Sequence, residues 1–290
     1  MAAKRARSKR PVSRTTAKAP KNSRQASAGV GARGDDVVSL RRSLEILRAF
    51  EPDDGPLSRH DIAQRTGLPN TTVARLVHTL LTLGYLSRVG THSSYRPGPS
   101  VLAIGHALIE ALPIGRIARP LMQRFATEFG VWVTLGTAEG DNILVLEHSA
   151  SLMAPDIRVR SGSLLPMVST ALGRAYLWAQ TPERRADYLA KLELSGRSSE
   201  PRLREDIKLA FVELDRSRFC TAFGSWRRDT LAIGTPIVMH QDGQVLALAC
   251  GNLSRAANAR ALAEKGGPAL LRLATDIKNG LLQSGSLEDL

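Results

Sequence analysis

One side of residues 70–79 combines short polar side chains with a single arginine. In order along the chain, the positions are Asn70, Thr71, Thr72, Arg75, His78 and Thr79. They lie opposite an apolar stripe with helical spacing, and Asn70 or Thr71 can cap the helix. An arginine can form two hydrogen bonds with guanine, and threonine contacts thymine methyl groups or phosphates. The pattern predicts a helix in a DNA major groove, with a merely solvent-facing helix as the alternative.

The elements around this helix complete a DNA-binding arrangement. Ser58 can cap a shorter helix that ends near Thr66, and Gly67 supplies the left-handed residue of a tight turn. Two helices joined by such a turn predict a helix-turn-helix. Two short strands around residues 90–93 predict a wing, with an arginine on each strand. The candidate DNA contacts are Ser58, Asn70, Thr71, Thr72, Arg75, His78, Thr79, Arg88 and Arg96.

The charge of the chain is concentrated at its start. The 290 residues carry a formal net charge of +13, but residues 1–34 hold ten basic residues and no acidic one. Over the rest of the chain, 30 basic residues face 27 acidic ones. A segment of this composition buries too little apolar surface to fold, so we predict a disordered basic tail. Beside a DNA-binding unit it would add salt-sensitive affinity without sequence preference; keeping the protein in solution is the alternative role.

Other functional classes find little support in the sequence. The six histidines are scattered, and the two cysteines, Cys220 and Cys250, have neither metal-ligand spacing nor a neighbouring histidine. Phosphate-loop, dinucleotide-binding, serine-hydrolase and zinc-protease motifs are absent from the sequence. We therefore predict no cofactor, no metal and no catalysis, with a cysteine nucleophile as the enzymatic alternative. The sequence has no membrane-spanning stretch and no secretory signal, which predicts a cytoplasmic protein without a membrane partner.

A second group of small and hydroxyl-bearing residues lies at a loop-to-helix junction in residues 161–173. The free backbone N–H groups at a helix start and the helix dipole favour a carboxylate, and small side chains leave room for one. The same residues allow a purely structural interpretation, in which Ser169 or Thr170 only caps the helix and Gly173 only permits close packing. The two roles are compatible.

The remaining periodicity predicts the architecture around these sites. The spacing predicts an apolar helix over residues 99–113, whose apolar surface needs a packing partner, as in a buried core helix. Strands are predicted over residues 131–137 and 143–148, near Ile157, and in a hairpin over residues 233–250, with helices between them. This order predicts an α+β fold with a mainly antiparallel sheet.

Three separated motifs resemble the IclR family of bacterial transcription regulators. They are LSRHDIA at 57–63 with TVARL at 72–76, GSLLP at 162–166 with TALGRA at 170–175, and GTPI at 234–237 with DGQVLAL at 242–248. The resemblance implies a winged helix-turn-helix, a linker helix that helps two chains to dimerise, and a GAF-like effector-binding domain. It places the effector at Ser169, Thr170, Ala171, Leu172, Ala222, Thr230, Ala232, Ala249 and Gly251.

The chain departs from the family pattern in two places. Residues 223–229 read FGSWRRD where the family is usually rich in acidic residues, and Arg174 replaces a common lysine. Arg227 or Arg228 could then pair with an anionic ligand, and Trp226 could stack on a ring. We expect instead a solvent-facing basic turn beside a packed tryptophan.

Together these features predict five segments: a tail over residues 1–34, a winged helix-turn-helix over 35–98, a linker helix over 99–113, an effector-binding domain over 114–284 and a tail over 285–290. The predicted protein is a homodimeric or homotetrameric regulator that binds specific double-stranded DNA and responds to a small, carboxylate-bearing metabolite. The alternative is a DNA-associated protein without sequence preference, whose C-terminal domain serves only for assembly.

Overall fold

A computed structural model describes residues 37–51, 54–90, 93–111, 114–194, 201–239, 244–254 and 258–284. The two predicted tails lie outside the described residues. The chain forms two compact units, which divide between Ile104 and Gly105. This division falls inside the predicted linker helix, so the domain boundaries given above stay predictions.

The N-terminal unit combines three helices with a short sheet. Its elements are α1 Val38–Arg48, β1 Leu57–Ser58, α2 Arg59–Thr66, α3 Asn70–Thr82, β2 Leu86–Val89 and β3 Ser94–Pro97. The three strands form an antiparallel sheet in the order β1-β3-β2. Ile46 of α1, Ile62 of α2 and Val77 of α3 pack into one apolar core with Leu86 and Tyr95 of the wing. The predicted winged helix-turn-helix is confirmed.

Local sequence signals set the start and end of α2. The backbone N–H of Asp61 donates to Ser58 Oγ at 3.2 Å, and the backbone N–H of Ser58 donates to Asp61 Oδ2 at 2.8 Å. Gly67 ends the helix with a φ of 70°, a conformation that costs glycine little. Both features follow from the sequence pattern.

The start of α3 differs from the prediction. The helix is capped by Pro69 without any side-chain hydrogen bond, so a cap formed by Asn70 or Thr71 is wrong. The carbonyl oxygen of Pro69 already accepts the first helical hydrogen bond, from the Val73 N–H at 3.0 Å, which places Asn70 and Thr71 inside the first turn. Their side chains are therefore not used as helix caps.

The helix α4 Pro99–Ala111 leads the chain into the C-terminal unit. The further elements are α5 Ile114–Phe129, β4 Trp132–Glu139, β5 Asn142–Ala150, β6 Leu164–Pro166, α6 Ala171–Trp178, α7 Pro182–Leu194, α8 Pro201–Ser217, β7 Cys220–Phe223, β8 Thr230–Val238, β9 Val245–Leu253, α9 Ala259–Ala261, a π-helical turn Leu262–Gly266 and α10 Gly267–Gln283. Each described helix is too short or too polar to span a bilayer.

The six described strands of this unit form one antiparallel sheet in the order β6-β5-β4-β9-β8-β7. On one face, Met122 of α5 and Ile277 of α10 share a core with Ile233 of β8. On the other face, Leu172 of α6 and Leu214 of α8 share a core with the strands. The predicted α+β fold with a mainly antiparallel sheet is confirmed, while the likeness to a GAF domain stays a prediction.

Ile157 does not lie in a strand, which makes that prediction wrong. Ile157 and Val159 alternate as in a strand and are buried, with 4% and 2% exposure. Their backbone is irregular because the β5 edge pairs with β6, in the register Ile143 to Leu165, rather than with this segment. The alternation of apolar residues therefore indicates burial here, and it does not indicate the hydrogen bonding of a strand.

Candidate DNA-binding surface and ligand cavity

The predicted polar face of α3 is open to solvent. Val73, Val77 and Leu80 are buried, and the opposite side exposes Asn70, Thr71, Arg75, His78 and Thr79, with Thr72 half-buried. The hydroxyl of Thr79 donates to the carbonyl oxygen of Arg75 at 3.3 Å, so it is partly engaged within the helix. The exposed guanidinium and the short hydroxyl and amide groups around it form a surface that can contact base edges.

Ser58 lies beside this surface with its hydroxyl in use. Its Oγ donates to Asp61 Oδ2 at 2.7 Å, and it also accepts the Asp61 N–H described above. Exposed Arg59 and His60 follow it and line a surface hollow together with Ser58, Asn70 and Ser93. Sequence reasoning missed both residues, although a basic residue at the start of the first helix of a helix-turn-helix was a usable signal.

The wing places its two arginines on opposite faces of the sheet. Arg88 pairs with Tyr95 across β2 and β3, and Tyr95 belongs to the core, so Arg88 shares the face that packs on the helices. Arg96 pairs with Ser87 and points to the other face, because side chains alternate along a strand. Both arginines are exposed. The register therefore places these two candidate DNA contacts on opposite faces of the wing.

The effector residues implied by the family resemblance come together around a cavity in the C-terminal unit. The space among its walls, including the part that is open to solvent, is about 410 Å³. The predicted residues in its walls are Ser169, Thr170, Ala171, Leu172, Ala222, Thr230, Ala232 and Ala249. Trp132, Thr134, Ile157, Leu165 and Trp226 complete the lining, and no lining side chain is charged.

Gly251 is the exception among the predicted effector residues, since it is not part of the lining. It pairs with Trp132 across β4 and β9. A Cβ at Gly251 would lie 2.5 Å from Cζ2 of the Trp132 indole. The glycine therefore makes room for the ring of Trp132, and the ring forms the wall of the cavity in its place.

The start of α6 forms one wall of the cavity. Thr170 caps the helix: its Oγ1 accepts from the Gly173 N–H at 3.1 Å and donates to the Pro166 carbonyl oxygen at 2.8 Å. The structural interpretation of this hydroxyl is thus correct. Ala171 and Leu172 occupy the first turn, where backbone N–H groups have no acceptor within the helix.

The turn after β7 places Trp226 in the wall of the cavity and leaves Arg227 and Arg228 exposed, so the expected solvent-facing basic turn beside a packed tryptophan is confirmed. Ser225 Oγ donates to Asp206 Oδ2 at 3.1 Å, and Arg227 Nη1 donates to the carbonyl oxygen of Ile157 at 3.2 Å. The Arg227 guanidinium also stacks over the Trp226 ring, 4.2 Å from its centre. Arg227 therefore holds the wall of the cavity in place and does not line it.

Burial disfavours the charged forms of His148, Cys220 and Cys250 in the C-terminal unit. Nδ1 of His148 lies 2.9 Å from Oγ1 of Thr134, and burial lowers the pKa of His148 to about 4, so the ring is uncharged at neutral pH. Burial raises the pKa of the Cys220 thiol to about 12 and also raises that of Cys250. Neither cysteine offers a thiolate, so the nucleophile alternative has no support in the described residues.

Comparisons with known proteins agree with this geometry. The profile of the IclR helix-turn-helix domain matches residues 39–90, and that of the bacterial transcriptional regulator IclR C-terminal domain matches residues 106–218. The Pca regulon regulatory protein of Pseudomonas putida is 31% identical over 217 residues, 73% of each chain. An IclR family transcriptional regulator from Brucella abortus has 31% identity and a TM-score of 0.80, covering 87% of this chain and 95% of that one.

A further solved structure, an IclR homolog from Microbacterium hydrocarbonoxydans complexed with 4-hydroxybenzoate, is 22% identical with a TM-score of 0.66. It covers 84% of this chain and 99% of that chain. The open recognition helix, the wing and the separate cavity-bearing unit define a DNA-binding transcription regulator. The chain belongs to the IclR family of bacterial transcriptional regulators.

Proposed function

We propose that α3 reads operator DNA and that a small carboxylate, bound in the cavity of the C-terminal unit, changes the DNA affinity. The observation that supports this proposal best is a cavity lined without charged side chains, with the first turn of α6 in its wall. A ligand alters DNA affinity only by binding the DNA-competent and the incompetent arrangement unequally, and a typical coupling is about 1–3 kcal/mol. The sense of that coupling decides between activation and repression.

The DNA contacts that we propose lie mainly on α3, with further candidates on α2 and the wing. Arg75 would read a guanine, and Asn70, Thr71, Thr72 and His78 would contact neighbouring bases or phosphates. Ser58, Thr79, Arg88 and Arg96 are the further candidates. Because its hydroxyl holds the capping box, Ser58 would act through its position beside Arg59 and not as a free hydroxyl.

Arg75→Ala is expected to weaken binding to the DNA upstream of the protein's own gene by about 1–3 kcal/mol, and binding to random duplex much less. The reason is that a bidentate contact with guanine discriminates between bases, whereas a phosphate contact does not. Gel-shift titrations on both DNAs, each at two salt concentrations, measure the two affinities.

Arg116→Ala provides the matched control, because it removes one exposed positive charge from α5 in the C-terminal unit. It is expected to leave the ratio of specific to random binding unchanged. An Arg75→Ala protein that keeps this ratio would exclude the arginine from base recognition. Equal affinity of the unaltered protein for both DNAs would instead favour the DNA-associated protein without sequence preference.

Backbone groups favour a carboxylate at the start of α6. Ala171 and Leu172 carry N–H groups without a helical acceptor, and they line a space without charged side chains. An anion at such a helix start is favoured by the dipole, and the low polarity around it strengthens the interaction. The 4-hydroxybenzoate bound by the related regulator is an aromatic acid, which supports this class of ligand.

Benzoate is expected to bind the C-terminal unit more tightly than benzamide, by about 0.3–2 kcal/mol. The two compounds have nearly the same shape, so the difference isolates the negative charge at the helix start. Thermal shift gives a first comparison, since a ligand that binds only the folded state raises the melting temperature. Calorimetric titration then measures both affinities, and equal affinities would contradict the proposed anion site.

The exposed apolar surface of the helix α4 supports the proposal that the protein forms a homodimer or a homotetramer. We also propose that the protein acts in the cytoplasm. Within one chain, Leu102, Ile104 and Leu108 of α4 are exposed by 76%, 58% and 52%. A helix with such an apolar surface gains stability by packing on another chain. Two linked helix-turn-helix units would then read half-sites separated by about one turn of DNA or a multiple of it.

A further inference from the structure

Two polar groups in the cavity wall have no hydrogen-bond partner among the described residues. They are Nε1 of Trp132 and Oγ1 of Thr230, and both atoms are buried. The whole residues are 5% and 3% exposed, and both line the cavity. Buried polar groups in folded proteins are nearly always paired, so two exceptions in the wall of one cavity indicate a missing partner. An indole N–H only donates, whereas a hydroxyl donates and accepts, so the partner must contain an acceptor.

The sheet register places these groups away from the start of α6. Gly234 lies directly below α6, since a Cβ there would be 2.5 Å from the Ala171 carbonyl oxygen. Gly234 pairs with Ala249, and Ala249 pairs with Thr134, which defines one row of residues across the sheet. Trp132 lies two residues from this row along β4, which is roughly 7 Å at a rise of about 3.3 Å per residue. Thr230 lies four residues from the row along β8, which is roughly 13 Å at the same rise.

We propose that the effector carries a second polar group, at the end remote from its carboxylate, and that Trp132 and Thr230 recognise it. A hydroxyl fits both partners, because its oxygen accepts from the indole N–H and also exchanges a hydrogen bond with the threonine hydroxyl. The separation of the rows requires a ring-sized skeleton and excludes acids of two or three carbons. This inference rests on the proposed carboxylate site at α6 for the orientation of the ligand.

Matched ligands test the recognition of the second group. Calorimetric titration would compare 4-hydroxybenzoate with 4-methylbenzoate, in which a methyl group replaces the hydroxyl at nearly equal size. The protein is expected to prefer the hydroxyl compound by about 10- to 100-fold, because the methyl compound leaves both buried groups without a partner. Equal affinity for the two acids, or no measurable binding of either, would overturn the inference.

Thr230→Val is the decisive variant, since valine has nearly the same shape without the hydroxyl. The preference for 4-hydroxybenzoate is expected to fall at least several-fold, and Trp132→Phe should lower it as well. Without ligand, Thr230→Val should be as stable as the unaltered protein or more stable, because it removes a buried group that lacks a partner. A purely structural threonine would show the opposite change in stability.

Thr137→Val is the matched control on β4, where the Thr137 hydroxyl donates to the Val245 carbonyl oxygen at 3.2 Å outside the cavity lining. It should keep the ligand preference, and a preference that survives in both cavity variants would overturn the inference. 4-Methylphenol separates the two proposals, since it keeps the hydroxyl and lacks the carboxylate. If it binds as tightly as 4-hydroxybenzoate in a manner that depends on Thr230, the second group is confirmed and the anion site at α6 fails.

Discussion

Gly173→Ala is expected to lower the free energy of unfolding of the C-terminal unit by about 3 kcal/mol. A Cβ at this position would lie 1.9 Å from the carbonyl oxygen of Met167 and 2.5 Å from the carbonyl carbon. Because these are backbone atoms, relief requires the start of α6 to move away from the preceding loop. Ala171 and Leu172 lie in that first turn and line the cavity, so ligand binding should weaken together with stability.

Urea unfolding followed by tryptophan fluorescence measures this loss in the right unit, because Trp132, Trp178 and Trp226 are the only tryptophans of the chain. Gly105→Ala is the matched control within a helix, since a Cβ at Gly105 meets no atom within 4 Å. Alanine is the better helix former there, by about 0.5–1 kcal/mol, so the control should not destabilise. Unfolding of Gly173→Ala at the urea concentration of the unaltered protein would contradict the close contact.

The parts of the fold that the sequence predicts are those set by neighbours along the chain. The capping box of Ser58, the left-handed Gly67 and the apolar stripe of α3 depend on spacings of a few residues, and all three are confirmed. By contrast, β1 consists of only two residues, and Leu57 is a strand residue only because it pairs with Tyr95. A pairing across 38 positions leaves no local signal.

The walls of the cavity also divide into a part that neighbouring residues predict and a part that depends on residues far apart in the sequence. The motif around Thr170 predicts a helix start with free N–H groups, and the structure has that helix start. The remaining walls come from Trp132, Ile157 and Trp226, which belong to three separate segments. Only the folded sheet brings these segments together, because β4 and β8 meet through β9. Burial of Ile157 was predictable from its apolar neighbours, but its place in a cavity wall was not.

The basic turn at residues 223–229 faces solvent as expected, but its anchoring contact involves a residue far away in the sequence. Asp206, far away in α8, accepts a hydrogen bond from Ser225 at 3.1 Å and thereby anchors the turn that carries Trp226. The same carboxylate lies 3.2 Å from the buried guanidinium of Arg174. Asp206 therefore contacts both departures from the family pattern. It binds the altered turn through Ser225, and it pairs with the arginine that replaces a lysine.

Asp206→Leu is expected to lower the free energy of unfolding of the C-terminal unit by about 2–3 kcal/mol. The Arg174 side chain is only 2% exposed, and burial lowers the pKa of its guanidinium, which means that the fold disfavours this charge. The Val168 carbonyl oxygen accepts one hydrogen bond from it at 2.9 Å, but Asp206 supplies the opposite charge. Urea unfolding by tryptophan fluorescence measures the loss, and acrylamide quenching should reveal a more accessible Trp226.

Arg174 is more deeply buried than Asp206, and this difference predicts the order of stability of variants at the two positions. Arg174→Met leaves Asp206, whose side chain is 27% exposed, with access to water, so this variant should lose only about 1 kcal/mol. Arg174→Met combined with Asp206→Leu should lie within about 1 kcal/mol of the unaltered protein, because apolar replacement of both partners leaves no buried charge. The double variant should therefore be more stable than Asp206→Leu alone. If it is less stable, the arginine stabilises the unit through the packing of its stem and its hydrogen bonds to the carbonyl oxygens of Val168 and Thr221, and the carboxylate is not needed to neutralise it.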